Sequence, residues 1–331
     1  MQKEKRWRNT SRWLPAELSS ISLGHASALS LNSEKRKGQH CTFLEMGGKV
    51  PGTAADDVAR AGHGLTERES GFPGTLPELI AQGADLLRTG RDLLPMHAID
   101  LNAVRILPPV PKPPKILCVG LNYDDHLEES GLKKPVYPEI FARFATSLIA
   151  HREPIRRPRE SSALDYEAEL AVVIGRRGRR IHRDRALDHV AGYSLFNDAT
   201  IRDFQLRTPQ WTMGKNFDAT GAFGPWLVTP DAVPPGAHGL RIQGRLNGRV
   251  MQDARTDLLI FSVPALIEMI SVAMSLEPGD VIITGTPGGV GAARKPPVFM
   301  QPGDVFEVEI EGIGVLSNPV RTSEKRRRCV D

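Results

Sequence analysis

The residues best placed to do chemistry in this chain are acidic and sit at the head of an apolar run. Asp165-Tyr166-Glu167-Ala168-Glu169-Leu170-Ala171-Val172-Val173-Ile174-Gly175 opens with carboxylates and closes on β-branched residues, which reads as a strand. Side chains alternate along a strand, so Glu167 and Glu169 point to one face. Like charges beside a buried segment repel, and they require open water, a shared proton, a basic partner or a metal ion. A solvated strand end is the plain alternative. Asp198, closing the strand-like run 191–197, offers a third carboxylate. An oxygen-only set suits Mg²⁺, Mn²⁺ or Ca²⁺ and argues against zinc. Three protein ligands leave coordination positions open to water and substrate.

A base and a cation accompany the carboxylates. His126 and Glu129 stand three apart in Asn122-Tyr123-Asp124-Asp125-His126-Leu127-Glu128-Glu129-Ser130-Gly131. This is a short helical stretch with Asn122 as expected cap and Gly131 as stop. Such spacing puts both on one helix face, where the carboxylate can fix the imidazole tautomer and raise its basicity. A surface histidine is the plain alternative. Lys215, between Gly214 and Asn216, can answer a substrate carboxylate or a developing oxyanion, or simply be solvated. Thr284-Gly285-Thr286-Pro287-Gly288-Gly289-Val290-Gly291 follows a strand, yet it lacks the Gly-Lys-Ser/Thr of a phosphate loop and the third glycine of the dinucleotide fingerprint. A substrate loop donating N–H groups and the Thr286 hydroxyl is one reading of it, a bare turn the other.

The elements that must position these groups are mostly strands. Short runs at 116–120, 191–197, 224–228, 281–284, 305–310 and 314–319, the hairpin signal Asn247-Gly248 and few helices argue for an α+β, β-rich fold. A helix over 262–275 has Ser262 as expected cap and Pro264 in its first turn. Another helical stretch opens at Thr75-Leu76-Pro77-Glu78, with Leu79, Ile80, Leu86 and Leu87 apolar. The proline cluster 108–114 reads as an extended linker. The expected layout is a disordered extension over 1–40, a small N-terminal α/β domain over 41–107, the linker, a catalytic domain over 115–320 and a basic tail over 321–331.

The 331 residues, 40% hydrophobic and 25% charged, match an ordinary globular protein. No apolar stretch reaches the ~18 residues of a membrane span. The net charge of +4 gathers at the ends, with Lys3, Lys5 and Arg6 at one and Lys325 to Arg328 at the other. No basic stripe with interleaved aromatics marks a nucleic-acid surface. Cys41, Cys118 and Cys329, odd in number and far apart, fit a reducing, cytoplasmic compartment.

Taken together in chain order, the motifs are distinctive. Gly120-x-Asn122-Tyr123-x-x-His126-x-x-Glu129, then Asp165-Tyr166-Glu167-x-Glu169-Leu170-Ala171-x-Val173-Ile174-Gly175, then Gly192-Tyr193-x-x-Phe196-Asn197-Asp198-x-x-x-Arg202-Asp203-x-Gln205, then Gly214-Lys215-x-Phe217-Asp218, then Gly279-Asp280-Val281-Ile282-x-Thr284-Gly285-Thr286-Pro287-x-Gly289-Val290-Gly291 resembles the fumarylacetoacetate hydrolase family over roughly 115–320. The resemblance implies a mixed β-sandwich roll, usually a homodimer. It implies a divalent ion, Mg²⁺ or Mn²⁺, on Glu167, Glu169 and Asp198, the dyad on His126 and Glu129, and the family lysine on Lys215. It also implies substrate contacts from Arg202, Gln205 and Thr286, and a 2-oxo or β-diketo acid as substrate. The expected reaction is C–C hydrolysis through an enolate held by the ion. Tautomerisation or isomerisation and decarboxylation are the alternatives on the same core, and a binding module that has lost catalysis is the non-enzymatic one. Ile201 departs from the family's usual Ala or Glu before the arginine. Nothing before residue 108 carries family chemistry.

Overall fold

The computed structural model describes residues 28–35, 39–46, 61–66, 69–93, 96, 98–100, 105–130 and 134–323. Of the expected extension and tail, residues 1–27 and 324–331 lie outside the described residues, as does Gly131, the expected helix stop.

Two sheets dominate. The larger runs in the order Ala98–Asp100, Ala61–Thr66, Gln39–Met46, Ala28–Lys35, Gly221–Val228, Val190–Asp198, Ala168–Ile174, Val281–Ile283, Ile116–Gly120 and Glu139–Arg143, with two further short strands off this path. The smaller is five-stranded: Arg249–Arg255, Arg241–Leu246, Val305–Ile310, Gly314–Thr322 and Ile155–Arg157. The mixture of parallel and antiparallel pairs and the few short helices give the β-rich α+β architecture expected from the strand pattern.

The central strand Ala168–Ile174 explains the layering. Every one of its residues is buried, as a near-continuous apolar run requires when both faces of a sheet are covered. Ala168, Leu170, Val172 and Ile174 join the core that includes Ile242, Phe306, Val308 and Leu316 of the smaller sheet. Ala171 and Val173 face the opposite core, with Phe196, Phe223 and Ile283 and with Leu76 and Ile80 from the N-terminal helix Leu76–Ala81. At ~25 cal/mol per Å² of apolar surface removed from water, each fully buried aliphatic side chain here contributes on the order of 2 kcal/mol.

Local signals worked at turns. Asn247 (φ 52°) and Gly248 (φ 77°) form the two-residue connection between Arg241–Leu246 and Arg249–Arg255, the positive-φ pair that a type I′ hairpin demands. The helix Val263–Ala273 has proline in its first turn, but Ser262 makes no side-chain cap bond.

Three expectations change. The helical stretch after Thr75 is two helices, Leu76–Ala81 and Leu86–Leu93, parted at Gly83 (φ 67°). Segment 108–114, read as an extended linker, is anchored in the fold, with Val110 buried in the core with Ile116 and Val281. It does not separate two sheets. Ala28–Lys35, inside the segment read as an extension, pairs antiparallel with Gly221–Val228 and joins the N-terminal strands to the large sheet. Backbone pairing between strands this distant in sequence leaves no local signature.

Candidate active site

The acidic segment is not one strand. Leu164–Asp165 pairs with Thr200–Ile201, the chain leaves the ladder at Tyr166 and Glu167, and it re-enters at Ala168. The alternation nevertheless persists. Glu169 shares a pleat face with Ala171 and Val173, and across the ladder Glu169 pairs with Phe196, two residues before Asp198. Glu167, Glu169 and Asp198 thus converge at one end of the face opposite the smaller sheet. One carboxylate oxygen from each lies within 4.8 Å of the others, and all three residues are buried.

That concentration of charge is answered by three cations. Lys215 Nζ lies 2.6 Å from Glu167 Oε2 and 2.5 Å from Asp198 Oδ2. Arg202 reaches Glu167 Oε1 at 2.7 Å, and Arg143 reaches Asp198 Oδ1 at 2.5 Å. Burial opposes charge on Glu167, but Lys215 and Arg202 hold its carboxyl below the usual range. Burial likewise opposes the Lys215 ammonium, but Asp198 and Glu167 hold its pKa above the ordinary lysine value. Among the described residues Glu169 has no such partner. Burial, then the charges of Asp198 and Glu167, push its carboxyl well above the usual range, although the Gly285 N–H donates to it at 2.5 Å. The site therefore lacks positive charge at Glu169. Its donors are hard carboxylate oxygens with a demand for one more cation, which fits Mg²⁺ or Mn²⁺.

The dyad stands on the short helix Asp124–Ser130. His126 Nδ1 is 2.8 Å from Glu129 Oε1, and His126 is buried. Burial opposes charge on Glu129, but the bonds from His126 and the Gly289 N–H keep its carboxyl below the usual range. An ionised carboxylate only accepts, so Nδ1 is the donor, and in a neutral imidazole that tautomer leaves the lone pair on Nε2. The imidazole is close enough to Glu167 to lower that carboxyl's pKa when charged.

The glycine-rich loop is tied to the carboxylates of the site. Its N–H groups serve the protein's own carboxylates: Gly285 to Glu169, Gly289 to Glu129 at 2.8 Å, and Gly291 and Ala292 to Asp165 at 2.8 and 2.9 Å. The Thr286 hydroxyl donates to the Ala168 carbonyl and accepts from Gln252. Arg202, expected at the substrate, also donates to Asp165 and to Gln205, so its guanidinium, the buried Gln205 and Asp165 form a bracket behind Glu167. Asn122 does not cap the dyad helix. It is buried, donating to the Phe261 and Thr284 carbonyls and accepting from the Phe261 N–H, which ties the start of the helix to the loop.

The nine residues singled out in sequence do gather: Glu167, Asp198, Lys215, Arg202 and Gln205 form one hydrogen-bonded and ion-paired group, Glu169 lies against its carboxylates, and the loop that carries Thr286 donates N–H groups to Glu169 and to Glu129. Two participants escaped notice. Arg143 ends an ordinary-looking strand and meets Asp198 55 residues away. Gln252 accepts from Ala168 N and donates to Thr286 and the Pro287 carbonyl. Asp165 was legible only as the first letter of its motif.

Comparison with known proteins follows this geometry. The family model for the fumarylacetoacetate (FAA) hydrolase C-terminal region matches residues 115–321. An oxaloacetate tautomerase of Xenopus laevis, fahd2, mitochondrial, is 41% identical over 260 residues, covering 77% of this chain and 81% of the relative. The oxaloacetate tautomerase YisK of Bacillus subtilis is 40% identical over 278 residues, 80% of this chain and 92% of the relative. Among solved structures, fumarylacetoacetate hydrolase from psychrophilic Exiguobacterium antarcticum is 35% identical with a TM-score of 0.74, covering 90% of this chain and 100% of that one. The 2-hydroxyhepta-2,4-diene-1,7-dioate isomerase of Mycobacterium marinum is 33% identical with a TM-score of 0.68, over the same shares. With the motif order, the sheet pairing and the matched span all agreeing, this chain belongs to the fumarylacetoacetate hydrolase family.

Proposed function

We propose that the protein is a divalent-metal-dependent tautomerase of small 2-oxo acids, with oxaloacetate as its first candidate substrate. The observation that carries this reading is 40–41% identity to two oxaloacetate tautomerases over most of their length, and the hydrogen bond between His126 Nδ1 and Glu129 supports His126 as its base. It moves the emphasis from C–C hydrolysis, the reaction expected from the motifs alone, to the proton shift.

The chemistry needs only a proton carrier and a site for negative charge. Glu167, Glu169 and Asp198 would hold Mg²⁺ or Mn²⁺, which would supply a Lewis acid for the 2-oxo group. His126 Nε2, freed by the Nδ1–Glu129 bond, takes a proton from one end of the O–C=C or O=C–C–H unit and returns it at the other. One C–H bond is exchanged for one O–H bond, with no water or redox partner consumed. Lys215 and Arg202 hold the Glu167 carboxyl below its usual range, and Lys215 and Arg143 pair with Asp198, which orients both carboxylates.

The test is enol–ketone interconversion of oxaloacetate followed by ultraviolet absorbance, with Mn²⁺ and with excess EDTA. Catalysis above the buffer rate that the chelator removes is the expected result. Rates unchanged by the chelator or by His126→Ala would overturn the metal or the base assignment respectively. Hydrolysis of acylpyruvates is the second reading, favoured by the solved relative named fumarylacetoacetate hydrolase, and the same preparation should be assayed for it. For the compartment we propose the cytoplasm, on the B. subtilis relative; the X. laevis relative is named mitochondrial. Among the described residues no helix is long and apolar enough to cross a membrane. We also propose a homodimer, supported by large apolar side chains exposed beside the site at Phe144, Leu206 and Met213; light scattering that gives a monomer mass refutes it.

A further inference from the structure

The orientation of Glu129 decides which imidazole nitrogen of His126 it engages, and backbone N–H groups at Gly289 and Val290 help to set that orientation. Glu129 Oε1 takes the histidine, while Oε2 takes the Gly289 N–H at 2.8 Å. Gly289 has φ +98°, and a Cβ there would lie 2.2 Å from the Met251 carbonyl oxygen. Glycine is therefore required, and glycine is the residue with the widest backbone freedom. An N–H offered by an unrestrained glycine would be a poor anchor for a base–orienter pair.

The structure shows what restrains it. The Gly289 carbonyl accepts from Arg294, Nε at 3.3 Å and Nη2 at 3.2 Å, and from the Tyr166 hydroxyl at 3.3 Å. Arg294 is itself fixed, donating from Nη2 to the Met251 carbonyl at 2.6 Å and from Nε to the Tyr166 hydroxyl at 3.2 Å. The Tyr166 ring stacks on Phe306 with centroids 4.8 Å apart, so the clamp is rooted in the core between the sheets. The peptide units on both sides of Gly289 are held, one by Glu129 and the other by Arg294 and Tyr166.

We propose that Arg294 is a positioning residue for the dyad: it clamps the Gly289 carbonyl so that the Gly289 N–H holds Glu129, and through it His126, in register. It touches neither His126 nor the carboxylate triad in its own hydrogen bonds, which go to Met251, Gly289 and Tyr166. The inference rests on the reading of His126 and Glu129 as the proton-transfer pair.

A double-mutant cycle tests it. Oxaloacetate tautomerisation is measured with saturating Mn²⁺ for wild type, Arg294→Met, Glu129→Ala and the double variant. Arg294→Met should lower kcat about 10-fold, a part of the ~10²–10⁴ that a positioned acid–base group supplies, and leave KM within about 2-fold. Arg294→Lys, which can still reach the carbonyl, should recover part of that loss. In the Glu129→Ala background the arginine change should cost nothing further, because its route to the histidine is gone. Multiplicative losses in the double variant, or an unchanged kcat in Arg294→Met, overturn the clamp. Should Arg294→Met fail to fold, Tyr166→Phe keeps the ring stack and loses the hydroxyl, and the same cycle applies to it. Wild-type turnover that Glu129→Ala leaves intact refutes the dyad reading itself, whereas sensitivity to Glu129→Ala without sensitivity at Arg294 or Tyr166 refutes only the clamp.

Discussion

Replacing Lys215 by methionine isolates the electrostatics of the site. The stem length is kept and the ammonium is lost. In the wild type Nζ lies 2.6 Å from Glu167 Oε2 and 2.5 Å from Asp198 Oδ2, with the side chain 2% exposed. Breaking a buried pair by removing one partner costs about 3–5 kcal/mol. Here Glu167 keeps Arg202 and Asp198 keeps Arg143, which places the expectation at the lower end, about 3 kcal/mol. For 331 residues, at about 2.1 cal/mol/K of unfolding entropy per residue, that corresponds to a melting temperature lowered by roughly 4 °C. The sign with pH follows from Glu167, whose folded carboxyl sits below its usual range because of Lys215 and Arg202. A depressed carboxyl stabilises the fold above its unfolded pKa, and the stabilisation is lost as pH falls through the folded pKa. The difference between wild type and variant should be full at neutral pH and shrink on acidification below the ordinary glutamate range. Added Mn²⁺ should also shrink it, since the ion supplies charge to the same carboxylates. Thermal unfolding in EDTA and in Mn²⁺ across a pH series measures all three. A drop under about 2 °C in EDTA, or a difference indifferent to both pH and metal, would show that Lys215 is not the counter-charge of this cluster.

Other perturbations read out separate parts of the structure. Glu169→Gln removes the carboxyl that burial and its acidic neighbours disfavour; the metal-free protein should be as stable as wild type or more so, while Mn²⁺ affinity by calorimetry falls beyond the ~10–100-fold typical of an outer partner. Gly214→Ala would bring a Cβ to 2.4 Å from the Gln205 backbone nitrogen, and overpacking of that kind should cost about 1–3 kcal/mol in urea unfolding and lower activity by displacing Lys215. His151 is held neutral by burial, its pKa lowered to about 4, and its Nδ1 accepts from the Ser317 N–H at 3.1 Å. Its stabilising contribution is full above the unfolded histidine pKa and declines as pH falls toward 4, by up to about 3 kcal/mol. His151→Asn, which retains an acceptor near that place, should flatten this limb of the melting-temperature profile, and an unchanged limb would assign the acid sensitivity elsewhere.

The sequence by itself determined the inventory of this site and much of the frame. Alternation put Glu167 and Glu169 on one face before any strand was located, because pleat periodicity is a covalent property of extended chain. The three-residue spacing put His126 beside Glu129, and Asn247-Gly248 fixed a hairpin by its dihedral preferences. Those are local rules, and the structure keeps them even where the strand itself breaks at Tyr166 and Glu167. Tertiary structure decided what the groups do to one another. Arg143 meets Asp198 across 55 residues, Lys215 reaches Glu167 across 48, and the glycine-rich loop holds Glu129 across 160. No local pattern announces such pairs, because their energy arises only when burial strips water from both partners and leaves each charge or N–H the other to satisfy. The same physics tied Arg202 and Thr286 into the frame of the site, and drew the N-terminal strand Ala28–Lys35 into the main sheet, where backbone groups find partners that sequence spacing does not encode.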